Sequence, residues 1–307
     1  MFLIDDLLSG DTRSVSRLIS WIENGDERAK NALKSVWHKT GNSYTIGVTG
    51  PTGAGKSTLV NCLADYSSKQ GHKVGVLAID PTSPFSGGAI LGDRLRMFSS
   101  QNADIFIRSV ATRGHLGGVT PTIGFLVNAI ELLQKDLIFI ETVGAGQGDV
   151  EIAELADTTL VVNVPGLGDE IQAQKAGILE IADILVVNKS DRSGADRLVE
   201  ELKMMQHLGE LESWTPPIVQ TTAVEQIGIS LLWENIEKHR SFLGSNGLKS
   251  VRLKRQIYEL QQHLRTSLYQ DKITELGSKS LDSVAEDILS RKTDPFTAVD
   301  EIKSLLK

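Results

Sequence analysis

The sequence predicts an α/β fold, a mostly parallel central sheet flanked by helices. Three observations carry that expectation. From Tyr44 onward, short β-rich runs alternate with helix-patterned stretches. Several runs are apolar at consecutive positions, as strands buried on both faces require. Between the first run and the helix after it stands a glycine-rich turn, Gly50 to Ser57.

The elements follow in order. Residues 1 to about 42 read as helices, because Leu7, Leu8, Val15, Leu18, Ile19, Ile22, Ala29, Leu33 and Val36 recur at helical spacing. Asp11 is the expected N-cap, and Gly25 breaks the run. Strands are expected at Tyr44–Val48, Val74–Ile79, Ile105–Val110, Leu137–Ile140, Thr159–Val164, Ile184–Asn188 and Ile218–Thr221. Helices are expected near 56–70, 122–134, 171–178, 195–208 and 229–243. After about Ser245 the strands stop. A long helical pattern covers 249–275, and two shorter ones lie near 280–291 and 296–306, with Asp294-Pro295 opening the last. The expected organisation is an N-terminal helical extension (1–43), an α/β domain (44–244) and a C-terminal helical arm (245–307), with Ser245-Asn246-Gly247 as linker.

Composition narrows the partners. Of 307 residues, 40% are hydrophobic and 23% charged, which suits a soluble globular chain with a sizeable core. The net charge of -7 argues against nucleic acid as a main partner. The one basic run, Lys249 to Arg255, is expected to be the solvated face of a helix. The single cysteine, Cys62, fits a reducing cytoplasm and reads as a small core residue. The 6 histidines show no metal-ligand spacing. The N-terminal segment carries Asp5 and Asp6 early and lacks a basic leader, so it does not read as a signal peptide. No apolar run reaches the ~18 residues of a membrane span. The expectation is a cytoplasmic protein with neither membrane nor nucleic-acid partners.

Chemistry concentrates in three loops. Gly50-Pro51-Thr52-Gly53-Ala54-Gly55-Lys56-Ser57 matches G-x-x-x-x-G-K-[ST] in full, followed by Thr58 in the expected helix. Its glycines let the backbone curl so that N–H groups point at phosphate oxygens. The helix N-terminus adds partial positive charge. Lys56 reaches the β- and γ-phosphates, and the Ser57 hydroxyl is offered to Mg²⁺. The fold expected is therefore that of a P-loop NTPase.

Asn188-Lys189-Ser190-Asp191 follows the apolar run Ile184–Val187 and reads as N-K-x-D. The Asp191 carboxylate can accept from guanine N1–H and the 2-amino group, a donor pair adenine lacks. A site built on such a pair rejects the analogue strongly. The Lys189 stem can lie along the base, and Asn188 can tie this loop to the phosphate loop. Thr221-Thr222-Ala223, closing the last strand run, stands where a backbone N–H can meet guanine O6. GTP and GDP are the expected ligands.

Carboxylates end two other strand runs. Glu141 opens Glu141-Thr142-Val143-Gly144, an E-x-x-G where D-x-x-G is usual. It can hold Mg²⁺ through water, while the Gly144 N–H meets a γ-phosphate. Asp80, at the end of the second run, is a further Mg²⁺ or water-positioning candidate, with an N-cap or turn residue before Pro81 as the alternative. Asp93 is another candidate ligand, with an N-cap before Arg94 as its alternative. Gln147 is the candidate water-positioning residue, because Ala145 stands where a glutamine usually follows D-x-x-G. The expected catalytic set is Lys56, Asp80, Glu141 and Gln147. The expected metal set is Ser57, Asp80, Asp93 and Glu141. Two Gly-rich stretches, Arg113–Gly118 and Pro165–Glu170, are candidate partner-sensing switches, with plain long loops as the alternative.

Over nearly its whole length the chain resembles the MeaB/ArgK family, G-protein chaperones of cobalamin-dependent acyl-CoA mutases such as methylmalonyl-CoA mutase. The residues that carry the resemblance are GPTGAGKST, AIDPTSPFSGGAILGDRLRM, ATRGHLGG, ETVGAGQGD, PGLGDEIQAQKAGILEIAD, NKSD and DPFTAVDEIKSLL. The resemblance implies a G domain of the signal-recognition-particle/MinD-like branch and a C-terminal arm that makes a homodimer. It implies Mg²⁺ near Ser57, Asp80, Asp93 and Glu141. It also implies GTP hydrolysis that gates cofactor loading and protection of a mutase, with Lys175 as the signalling lysine of a third switch. Where the family usually has Ser-Glu, this chain has Gly148-Asp149. Rival expectations are a P-loop small-molecule kinase or transport-associated ATPase, and a nickel metallochaperone GTPase, which a lone cysteine argues against.

Overall fold

The structure is a computed structural model that describes residues 2–80, 105–111, 122–142, 144, 151–166, 180–206, 213–275 and 281–305. The helix expected at 171–178, both Gly-rich stretches apart from Pro165 and Gly166, and Lys175 lie outside the described residues. The chain divides into two compact units, Met1–Arg255 and Gln256–Lys307.

The first unit is built on a 7-stranded sheet. Its strands are β1 (Tyr44–Thr49), β2 (Val74–Asp80), β3 (Ile105–Ala111), β4 (Leu137–Glu141), β5 (Thr158–Asn163), β6 (Ile184–Asn188) and β7 (Ile218–Thr221). The spatial order is β3-β2-β4-β1-β5-β6-β7, and every pairing is parallel. All seven expected runs are strands. Their two-sided burial explains why the runs are so continuously apolar: every residue of β1, β4, β5 and β6 is buried.

Helices cover both faces. On one side α1 (Phe2–Ser9), α2 (Thr12–Glu23), α3 (Glu27–Val36) and α5 (Thr122–Glu131) share a core with Leu77, Ile79, Ile138 and Ile140. On the other, α4 (Lys56–Lys69) and the start of α7 (Ile229–Glu275) pack on Ile46, Val48, Val76, Phe139 and Val186. A smaller cluster seats α6 (Ala195–Gln206) on Val161, Leu185 and Val187. Asp11 caps α2 as expected, accepting from the Ser14 N–H at 2.8 Å.

Because the strands are parallel, the last residues Thr49, Asp80, Glu141, Asn163, Asn188 and Thr221 all lie along one edge. After β1 the chain moves toward β2, whereas after β4 it crosses to β5. The crevice where those directions part, between β4, β1 and β5, is where open parallel sheets bind ligands.

The linker expectation needs correction. Ser245-Asn246-Gly247 is not a loop: α7 runs through it, and the only break is Gly244 (φ 52, ψ -167). The second unit contains the remainder of α7 together with α8 (Leu281–Leu289) and α9 (Pro295–Leu305). Asp294 caps α9, accepting from the N–H groups of Phe296 and Thr297 at 2.9 and 3.0 Å.

Candidate functional site

The loop from Gly50 to Gly55 curls because its glycines take left-handed backbone. Gly50, Gly53 and Gly55 have φ of 138°, 78° and 86°, conformations that side chains with a Cβ resist. Space also decides two of them. A Cβ at Gly50 would strike the Val162 carbonyl of β5, and one at Gly55 would lie 2.5 Å from Asn188 Nδ2. Gly53 faces open space instead. Lys56, Ser57 and Thr58 then form the first turn of α4. Its N-terminus is aimed into the crevice, a ready site for anions.

Lys56 is only 5% exposed. Its ammonium donates to the Gly50 and Pro51 carbonyls at 2.7 and 3.0 Å, which holds the cation over the loop. Ser57 Oγ donates to Glu141 Oε1 at 2.5 Å. A hydroxyl and a carboxylate converging on one point are a hard oxygen donor set of the kind that suits Mg²⁺. Asp80 ends β2. In the ladder Ala78 of β2 is level with Glu141, so Asp80 stands two residues further along the same edge. Asp93 and Gln147 lie outside the described residues.

Gly144 closes the crevice from the β4 side. Its φ is 82°, and a Cβ there would meet the Gly50 oxygen, the Lys56 ammonium and, at 2.9 Å, the Pro51 carbonyl carbon. Thr52 Oγ1 donates to the Gly144 carbonyl at 3.1 Å, and Thr142 Oγ1 donates to Thr49 Oγ1 at 3.0 Å. The phosphate loop and the loop after β4 are thus stitched together.

The base-reading loop joins the same assembly through Asn188. Its Nδ2 donates to the Ala54 carbonyl at 2.9 Å. Its Oδ1 accepts from Thr221 Oγ1 at 3.0 Å and from the Ala223 N–H at 3.2 Å. Lys189 has φ 57 and reaches back to donate to the Gly53 carbonyl at 2.7 Å, so its stem crosses the phosphate loop. Ser190 Oγ bonds Thr222 Oγ1 at 3.0 Å. Asp191 follows, exposed at the loop's rim. Together these contacts bring Gly50–Thr58, Gly144, Asn188–Asp191 and Thr222-Ala223 around one crevice, with Glu141 at its floor.

Sequence reasoning did not single out Thr49 or Cys62 as parts of this assembly. The Thr49 hydroxyl was readable in principle, since a polar residue closing an apolar strand faces the crevice. Cys62 lies in α4, half-buried, with Sγ donating to the Ala223 carbonyl at 3.1 Å. Burial, and then the charge of Asp65, raise its thiol pKa and keep it protonated.

A family model described as methylmalonyl Co-A mutase-associated GTPase MeaB matches residues 15–277. The chain belongs to the MeaB family of P-loop GTPases. Family relatives span most of its length. A Pyrococcus abyssi protein named as a GTPase is 41% identical over 309 residues, covering 98% of this chain and 94% of its own. GTPase ArgK of Escherichia coli is 32% identical over 267 residues, covering 83% and 81%. The mouse methylmalonic aciduria type A homolog, mitochondrial, is 36% identical over 213 residues, covering 67% of this chain and 51% of its own. The crystal structure of a LAO/AO transport system kinase superposes with a TM-score of 0.73 at 22% identity, covering 99% and 96%, and shares the fold. In this MeaB-family chain no described helix is long and apolar enough to cross a membrane. Among the described residues no group of three or more His, Cys, Asp or Glu is placed to hold a metal. The donor set at Ser57 and Glu141 is of another kind, a hydroxyl beside a carboxylate.

Proposed function

We propose that this chain binds and hydrolyses GTP as a nucleotide-gated chaperone, controlling cobalamin loading and protection of an acyl-CoA mutase of the methylmalonyl-CoA mutase type. The observation that carries the nucleotide half is the Asn188 bridge, which ties an N-K-x-D loop to a complete phosphate loop. The client half rests on the family description and on the name of the mouse relative.

The roles follow from chemistry. The curled N–H groups of residues 50–57 bind the phosphates, and the Lys56 ammonium neutralises charge where β- and γ-oxygens separate. Asp191 selects guanine, and Ala223 offers its N–H to O6. Mg²⁺, when bound by Ser57 and Glu141 with Asp80 and Asp93 as further ligands, supplies charge neutralisation between the β- and γ-phosphates. Gly144 senses the γ-phosphate through its N–H, so that loss of that group releases the following loop. Because Ala145 replaces the usual glutamine and Gln147 is displaced by two positions, hydrolysis by the isolated chain is slow and a bound mutase completes the site.

A homodimer is part of the proposal. In the second unit Ile257, Leu260 and Leu264 of α7 are 48%, 68% and 55% exposed. Their spacing of three and four makes a seam suited to a second helix. A cytoplasmic setting agrees with the single cysteine.

Single-turnover GTP hydrolysis with and without a cobalamin-dependent mutase tests the reading. Slow turnover alone, accelerated by the mutase and lost in Lys56→Ala, is expected. Fast turnover by the isolated protein, or ATP used as readily as GTP, contradicts it. Pull-down with a non-hydrolysable GTP analogue identifies the client.

A further inference from the structure

The helix α7 is bent at Gly244, and its two limbs are held in different ways. The first limb, from Ile229, is anchored by apolar burial: Ile229, Leu232, Trp233 and Ile236 belong to the core. His239 adds polar ties at the N-terminal edge of the sheet, pairing through Nδ1 with Thr158 Oγ1 at 2.8 Å and through Nε2 with Asp183 Oδ1 at 3.2 Å. The second limb, residues 245–255, has no buried residue; Leu248 alone packs, partly buried, against the core, and Leu253 is 60% exposed.

What holds the second limb is charge. Asp157, immediately before β5, has a side chain that is 0% exposed. Its Oδ2 accepts from the Thr45 N–H at 2.9 Å and from Arg252 Nη2 at 3.1 Å. Its Oδ1 accepts from Arg255 Nη2 at 2.6 Å. Arg252 also donates to the carbonyls of Gly41 and Ser43, each at 2.7 Å. The basic run that sequence reasoning assigned to a solvated helix face thus turns two of its cations inward. The neighbours Asp157 and Thr158 grip opposite sides of the bend.

Gly244 itself explains the bend. Its φ and ψ lie in a region essentially reserved for glycine. A Cβ there would meet nothing within 4 Å, so packing does not demand glycine and backbone conformation does.

We propose that Gly244 is a hinge and that Asp157, with Arg252 and Arg255, is the latch that keeps it bent. Residues 245–255 then have two states, latched on the sheet edge and released. A buried carboxylate with two cationic donors suits such a device, because breaking the pair is costly in place yet both arginines regain water once the limb leaves.

Hydrogen exchange on the full chain tests this, comparing wild type, Asp157→Asn and the double variant Arg252→Gln/Arg255→Gln. Amides of 246–255 are expected to exchange about tenfold faster or more in both variants, while those of 230–243 keep their protection. GDP affinity is the control and stays unchanged. Unchanged exchange over 246–255 overturns the latch. Protection lost equally from 230–243 and the sheet also overturns it, because the ion pairs then merely stabilise the fold. If Asp157→Asn does not fold, the arginine double variant reads the same quantity. The second arm is Gly244→Ala. It is expected to lower Tm in wild type and to have little effect in the arginine double variant, whose released limb can straighten. Additive losses overturn the coupling between hinge and latch.

Discussion

Asn188, at the end of β6, donates from Nδ2 to the carbonyl oxygen of Ala54 in the loop after β1, a 2.9 Å hydrogen bond across 134 positions of sequence. The same side chain accepts from Thr221 and Ala223. One buried amide therefore fixes the phosphate loop relative to both loops that face the base. Asn188→Ala leaves those groups without their partner, at about 1–3 kcal/mol for each buried polar group unpaired. GDP binding is expected to weaken about 10- to 100-fold, since tenfold corresponds to ~1.4 kcal/mol. Titration calorimetry measures it, and an affinity within about twofold of wild type, a difference of less than ~0.5 kcal/mol, contradicts the bridging role.

Gly144 tests how closely the loop after β4 must approach the phosphate loop. Its left-handed φ of 82° disfavours alanine, and a Cβ would strike the Gly50 oxygen and the Lys56 ammonium. Backbone strain alone amounts to ~1–2 kcal/mol, and the clash adds to it. Gly144→Ala is expected to lower Tm by several degrees and to reduce GTP turnover about tenfold or more, one decade being ~1.4 kcal/mol of barrier. Thermal melts and single-turnover assays check both. Full turnover in a stable variant contradicts the close approach.

Much of this architecture was legible because the signals are local. Two-sided burial makes β1, β4, β5 and β6 apolar at consecutive positions, so those strands stood out, and curling around phosphate forces a fixed glycine spacing at Gly50, Gly53 and Gly55. What was not legible depends on distant pairing. Nothing near Arg252 or Arg255 tells that both turn toward Asp157, 95 and 98 positions away. Nor does composition separate Gly244, which bends α7, from Ser245-Asn246-Gly247, whose turn-forming residues stay helical.

His239 gives the fold a pH dependence. Burial pushes its pKa down from 6.5 to about 4, against a smaller upward pull from Asp157. The native imidazole stays neutral where the unfolded one takes a proton, so the unfolded state binds more protons between about pH 4 and 6.5. Stability from this group is complete above that window and is lost as pH falls through it. Glu131 has the opposite sign. Burial raises its pKa above 4.5, so its contribution declines as pH rises through the folded value. Denaturant melts of wild type and His239→Gln between pH 4 and 7 separate the two. The wild type is expected to lose more stability on acidification than the variant. Equal slopes contradict a neutral, buried His239.

Asp191 offers the sharpest test of base choice. A carboxylate presents two acceptors, which match the N1–H and 2-amino donors of guanine. An asparagine amide presents one acceptor and one donor. It leaves a guanine donor facing an N–H group, and buried polar groups left mismatched produce large discrimination. Xanthine carries N1–H beside a C2 carbonyl, one donor and one acceptor, and fits the amide. Asp191→Asn is therefore expected to weaken GDP by about 100-fold, two decades at ~1.4 kcal/mol each, while gaining affinity for xanthosine diphosphate. Because Asp191 is exposed at the loop rim, the substitution leaves the core untouched and Tm is expected to hold. Competition calorimetry with the two diphosphates reads the exchange of preference. If Asp191→Asn loses GDP without gaining the xanthine nucleotide, and keeps its fold, the carboxylate is not what reads the base.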